Sequence, residues 1–258
     1  MNIPIRILCF AFLTPVVIAR AASPTSLFDG KSLAGWEGDL TWWRVEGGLL
    51  TGGSTTEKIP RNHFLATTRS FQNFDLRLKI KLTGDPKTGM INSGVQLRSL
   101  RVPNDTEMSG YQADAGDTWW GKLYDESRRN KVIAEPANLA AVTAAVKTND
   151  WNDYRILAEG PRIRTWVNGV PATDYTETDP AIALDGKIAI QIHGGGIALV
   201  QAKEITLAEL PPTPGAPTWD KVGHPKPRDP AAKKKNAAPP AAASPAPASA
   251  PAPTVSPK

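Results

Sequence analysis

The sequence predicts an all-β fold, a sandwich or a barrel, and three observations carry that expectation. Short runs alternate apolar and polar residues and are punctuated by Gly, Pro, Asn and Asp; no long stretch has a helical period; and Val167-Asn168-Gly169-Val170 is a hairpin signal, since Asn-Gly tolerates the positive φ angles of a type I′ turn.

The expected strands, in order, are Thr41–Leu50, Phe74–Leu82, Gly94–Leu100, Gly110–Ala115, Gly121–Tyr124, Asn152–Ala158, Arg162–Val167, Lys187–His193 and Ala198–Leu207. In Phe74–Leu82, Leu76, Leu78, Ile80 and Leu82 share one face, opposite Asp75, Arg77, Lys79 and Lys81, a charged face of the kind water covers. In Gly94–Leu100, Val95 and Leu97 face the core and Gln96 and Arg98 oppose them; in Gly110–Ala115, Gln112 and Asp114 share a face. Lys187–His193 has Ile188, Ile190 and Ile192 on one side and Ala189, Gln191 and His193 on the other, so one face builds a core and the other offers an imidazole. Ala137–Val146 is apolar enough for a short helix. Gly194-Gly195-Gly196 reads as a tight turn, because no Lys-Ser/Thr follows it as a phosphate loop requires.

Arg6, an apolar run from Ile7 to Ile18 and Ala19-Arg20-Ala21 form the pattern of a secretory leader over residues 1–21, too short and too broken by Pro15 to span a bilayer comfortably. The expected location is therefore periplasmic or secreted, with no transmembrane segment after cleavage. The one cysteine, Cys9, falls in this leader, so the expected mature chain has neither a disulfide nor a thiol nucleophile. Residues 22–210 are expected to form one domain, and residues 211–258, rich in Pro and Ala, a solvated, unfolded tail. The basic balance belongs to that tail: residues 22–210 hold 21 Lys and Arg against 23 Asp and Glu, the tail 7 against 2. This argues against nucleic acid, which needs basic residues clustered on a folded surface. Lys233-Lys234-Lys235 could touch an anionic envelope polymer, although such runs are most often simply solvated.

Gln96, Gln112, Gln191, Asp114 and His193, with the adjacent Trp119 and Trp120, supply hydrogen-bonding groups and aromatic rings, which is what a sugar requires. If both tryptophans lie in a strand, at most one faces such a site and the other packs in the core. Trp36, Trp42, Trp43, Trp151 and Trp166 read as core or turn anchors. No cofactor follows from these residues. Asp114, Asp117, Asp125 and Glu126 offer carboxylates to a divalent cation such as calcium, without the glycine and terminal glutamate of an EF-hand.

The order Leu-Phe-Asp-Gly-Lys-Ser-Leu-Ala-Gly-Trp (27–36), Trp-Arg-Val-Glu-Gly-Gly-Leu-Leu (43–50), Asn-Ser-Gly-Val-Gln-Leu-Arg (92–98), Gly-Tyr-Gln-Ala-Asp (110–114), Gly-Lys-Leu-Tyr-Asp (121–125), Trp-Asn-Asp-Tyr-Arg-Ile (151–156), Trp-Val-Asn-Gly-Val (166–170) and Ile-Gln-Ile-His-Gly (190–194) resembles the 3-keto-disaccharide hydrolase family. The resemblance implies a concanavalin A-like jelly roll of two antiparallel sheets with a ligand site on its concave face. Relatives often carry an acid where this chain has Ile192, and a Tyr-Glu-Val-Gln strand where it has Tyr-Gln-Ala-Asp.

The implied substrate is a glycoside already oxidised at C3. The ketone acidifies the C2 proton; a base removes it, the enolate expels the glycosidic oxygen from C1, and water adds back. That chemistry needs a base, donors for the enolate oxygen and an acid for the leaving group. His193 or Asp114 is the expected base or acid and Arg98 a charged donor, unless it merely pairs with Asp114 or Glu107. Gln96, Gln112 and Gln191 are expected to position the sugar, Tyr124 to donate a proton, and Trp119 or Trp120 to stack on it. The alternative reading is a non-catalytic carbohydrate-binding module held at the envelope.

Overall fold

The computed structural model describes residues 23–228. The expected leader and the tail from residue 229 onward lie outside the described residues. The strands are β1 (Thr25–Ser26), β2 (Trp36–Glu37), β3 (Trp43–Glu46), β4 (Leu49–Gly53), β5 (His63–Thr67), β6 (Phe74–Gly84), β7 (Asn92–Arg101) and β8 (Met108–Gly116). They continue through β9 (Leu123–Glu126), β10 (Lys131–Ala134), β11 (Asn152–Glu159), β12 (Arg162–Val167), β13 (Val170–Thr176), β14 (Lys187–Ile192) and β15 (Ala198–Glu209). Two short α-helices, α1 (Leu139–Ala145) and α2 (Trp219–Val222), and a single 3-10 turn at Pro86–Thr88 complete the set among the described residues. One sheet runs β13-β12-β11-β6-β15-β4-β3, with β1 paired to β15; the other runs β10-β9-β8-β7-β14-β5-β2. All these pairings are antiparallel.

The sheets stack because each has one apolar face. Leu76, Leu78, Ile80 and Leu82 of β6 join Val95 and Leu97 of β7, Tyr111 and Ala113 of β8, and Ile188, Ile190 and Ile192 of β14 in one buried cluster. The two-sheet, mostly β sandwich is the jelly roll the sequence predicts. Ile192 is wholly buried there, so at this position the chain uses core packing rather than an acid. Asn168 (φ 49°) and Gly169 (φ 80°) form the expected β12–β13 turn, and the Asn168 amide also donates to Ala145 O at 2.7 Å, tying the hairpin to α1.

Three expectations need correction. Thr41–Leu50 is not one strand but the hairpin of β3 and β4, because Gly47 (φ 59°) and Gly48 (φ 77°) reverse the chain between Glu46 and Leu49. The segment after Leu210 is not all solvated tail. Pro211 O and Thr213 Oγ1 accept from Asn73 Nδ2 at 2.7 and 2.9 Å, and Trp219 of α2 is buried, donating from Nε1 to Arg98 O at 3.2 Å. Prolines here set a path along the surface and the indole anchors it. Finally, Trp36 and Trp43 are core, but Trp151 and Trp166 lie half-buried under cations: Lys81 and Lys203 over Trp151, Arg155 over Trp166.

Candidate functional site

Strand parity turns Gln96, Gln112, Ala189 and Gln191 away from the inter-sheet core. Register then places Gln96 beside Gln112, and Gln112 beside Tyr124, across β7, β8 and β9. Gln191, Gly94 and Asp114 form the neighbouring row across β14, β7 and β8. A small apolar cluster of Phe64, Ala66, Met108 and Ala189 borders this polar ground.

One chain of hydrogen bonds fixes the amides. Ser99 Oγ donates to Gln96 Oε1 at 2.6 Å, Gln96 Nε2 to Gln112 Oε1 at 2.9 Å, and Gln112 Nε2 to both Asp114 Oδ1 (2.8 Å) and Gln191 Oε1 (3.3 Å). The Gln112 side chain lies over Gly94, where a Cβ would come within 2.6 Å of Gln112 Cγ. Asp114 is 3 % exposed and Gln191 0 %, and two of their polar atoms, Asp114 Oδ2 and Gln191 Nε2, have no partner. An unpaired polar atom out of water is costly, and here two, on the strands either side of β7, are left unused. Burial raises the pKa of the Asp114 carboxyl well above the ordinary carboxylate range, against the lowering effect of Gln112, which favours its protonated form.

His193 stands one residue past the end of β14, half-buried. Its backbone N–H donates to Asn92 O at 3.1 Å, and its Nδ1 lies 2.6 Å from Gly194 O. A carbonyl only accepts, so Nδ1 carries the proton and Nε2 keeps a lone pair. Burial lowers the His193 pKa, outweighing the opposite effect of that bond, and holds the imidazole neutral. Burial thus favours the neutral forms of both the imidazole and the carboxyl.

Trp119 and Tyr124 are the partly exposed aromatics of this region, their rings 6.2 Å apart and edge to face, with Lys122 Nζ 5.3 Å from the Trp119 centroid. Trp120 takes the other role: it stacks on Tyr154 at 6.2 Å and packs against the core. Both rings are partly exposed and stand in a turn rather than in a strand, so strand alternation does not divide them.

Arg98 does not belong to this group. Between Leu97 and Leu100 the β7–β8 register slips, and Arg98 has φ 52°. This bulge rotates its side chain to the end of the sandwich, where it is 0 % exposed. It donates to Gln72 O (2.8 Å), Gly160 O (2.7 Å) and Asn73 Oδ1 (3.0 Å), and burial lowers its pKa to about 10. Neither Asp114 nor Glu107 is its partner. Ser99 takes the place on the sheet's outer face that unbroken alternation assigns to Arg98, and so joins the network unforeseen. Asp125, named above as a cation ligand, is paired with Arg128 and Arg129. Among the described residues no three of His, Cys, Asp and Glu are grouped to hold a metal ion.

The comparisons agree with this architecture. A protein from Parabacteroides distasonis, solved as a candidate glycosyl hydrolase, is 20 % identical with a TM-score of 0.52, over 73 % of this chain and 94 % of its own. The carbohydrate-binding module CBM66 from Bacillus subtilis is 18 % identical with a TM-score of 0.50, over 68 % of this chain and 96 % of its own. At such identities the likeness is one of fold. No curated protein matches the chain in sequence. The sequence profile of the 3-keto-alpha-glucoside-1,2-lyase-like domain matches residues 23–208, most of the chain and nearly all of the two sheets, and the protein belongs to that carbohydrate-related family.

Proposed function

We propose that the protein cleaves 3-keto-glucosides by elimination. His193 Nε2 takes the C2 proton and the electron pair moves onto the C3 oxygen. Asp114, as a neutral carboxylic acid, and Gln191 Nε2 donate hydrogen bonds to that oxygen as its charge grows. Collapse of the enolate forms the C1–C2 double bond and breaks the bond from C1 to the glycosidic oxygen, which takes a proton from Tyr124. Water then adds across the double bond. Gln96 and Gln112 hold the donors in place, and Trp119 offers its face to the sugar ring. The observation that carries this reading is the pair of unused groups, Asp114 Oδ2 and Gln191 Nε2, on two side chains that both accept from the Gln112 amide.

Two expectations test this arrangement. Asp114→Asn keeps a donor and is expected to retain turnover within about tenfold, whereas Asp114→Ala, which removes the donor, loses on the order of 10²–10³ in kcat. The same variant reads the linkage to stability. Because the folded-state pKa of Asp114 is raised, its contribution is fully present below the unfolded value near ~3.9 and is lost as pH rises toward the folded value. The Tm of Asp114→Asn relative to the unaltered protein should therefore increase from pH 4 to pH 8; a difference independent of pH would contradict a buried neutral acid. Gly94→Ala is expected to push the Gln112 amide aside and lower kcat on the order of 10²-fold, since displacements near 1 Å carry costs of that size. Steady-state assays on a 3-keto-glucoside measure all three.

The leader pattern at residues 1–21 supports placing this activity outside the cytoplasm, which fractionation of the producing cell tests.

A further inference from the structure

The outer face of the β13-to-β3 sheet is charged. Leu76, Leu78, Ile80 and Leu82 of β6 point into the core, so Arg77, Lys79 and Lys81 project outward. Register sets Lys203 of β15 directly opposite Lys79, and Arg155 of β11 opposite Arg77. Like charges so placed repel each other. These five cations share one patch with three carboxylates, Asp75, Asp153 and Glu204. Residues 22–210 as a whole hold 21 Lys and Arg against 23 Asp and Glu, so the positive excess is local.

The carboxylates do not neutralise the patch. Asp75 is shared between Arg77 and Arg155. Glu204 sits in a bulge of β15 with φ 52°, 3.1 Å from Lys79 and 3.9 Å from Lys203. Among the described residues Lys81 makes no ion pair. Its Nζ stands 5.1 Å from the centre of the half-buried Trp151 ring, and Lys203 Nζ stands 4.5 Å from the same centre. Two ammonium groups thus converge on one indole, a place for an anion.

A second indole lies further along the same face. Arg77, Arg155 and Trp166 form one row across β6, β11 and β12, where Trp166 and Glu204 help to line a groove of about 750 Å³. From Arg77 to Lys81 the strand rises roughly 13 Å, a separation that suits successive rings of a chain. The mixture of groups selects the partner. Cations recognise carboxylates, indoles pack against sugar CH groups, and carboxylates accept from hydroxyls. A nucleic acid fits poorly, because Asp75, Asp153 and Glu204 would face phosphates at one charge per ~1.7 Å of duplex.

We propose that this face binds an acidic polysaccharide built of uronic acid rings, at a site separate from the glutamine network on the opposite sheet. Isothermal titration of the full chain with polygalacturonate is expected to show binding that weakens as salt is raised. The methyl-esterified polymer, which keeps the rings and loses the charge, should bind on the order of 10-fold more weakly. Lys81→Ala combined with Lys203→Ala should weaken polygalacturonate binding about 2- to 30-fold, the loss of two exposed charge contacts. No binding, binding indifferent to salt, or equal binding of the esterified polymer would overturn the proposal. So would undiminished affinity in the double variant, which is the result expected if Lys233-Lys234-Lys235 held the polymer instead. Equally tight binding of single-stranded oligothymidylate would also overturn it, as the mark of a general polyanion surface. The salt and ester arms use the unaltered protein and decide the matter even if the double variant fails to fold. Binding is read without turnover, so the site stands or falls apart from the lyase reading.

Discussion

Replacement of His193 by glutamine is expected to lower kcat on a 3-keto-glucoside by about 10²–10⁴-fold, the usual contribution of a positioned general base. Glutamine keeps hydrogen-bonding capacity near Gly194 O but has no basic lone pair to take the C2 proton. Because burial lowers the His193 pKa, the unaltered protein holds a neutral base through the whole neutral range. The acid limb that His193 gives to kcat/KM should therefore lie below the usual imidazole pKa near ~6.5. The residual activity of His193→Gln should lack that acid limb. A variant with full turnover, or one whose pH profile is unchanged, would remove His193 from the chemistry while leaving the fold account intact.

Arg98→Ala is expected to act on stability instead. It leaves Gln72 O and Gly160 O without the guanidinium donor, takes one of two donors from Asn73 Oδ1, which keeps the Gly160 N–H, and empties the space beside Trp219. A buried acceptor left without its donor costs about 1–3 kcal/mol, and denaturant unfolding measures the loss. Protein that remains folded should keep its kcat, because Arg98 reaches no group of the proposed site. A large fall in kcat at undiminished stability would return Arg98 to the role of ligand donor.

These two residues show what was legible in the sequence. Period-two alternation identified the two-faced strands, and the outward placement of Gln96, Gln112, Asp114 and Gln191 follows from parity alone. Arg98 escaped the same logic because a bulge, with no glycine to signal it, shifts the register by one residue and exchanges Arg98 for Ser99. The Gly47-Gly48 turn was written in the sequence, directly after Glu46 and inside what alternation read as one strand. The Trp219 anchor was masked by a Pro- and Ala-rich surrounding, where one aromatic residue was the only sign of folded chain. The unpaired atoms of Gln191 and Asp114 depend on side-chain contacts between distant strands, which no local pattern encodes.

The most direct test of the central claim is incubation of the purified protein with a 3-keto-disaccharide and with its unoxidised parent, following release of free sugar from each. Release from the oxidised substrate alone, abolished with His193→Gln, is the result this account predicts. Binding of the oxidised disaccharide without any release, or equal release from both sugars, would contradict it, the first of these being the behaviour of a carbohydrate-binding module.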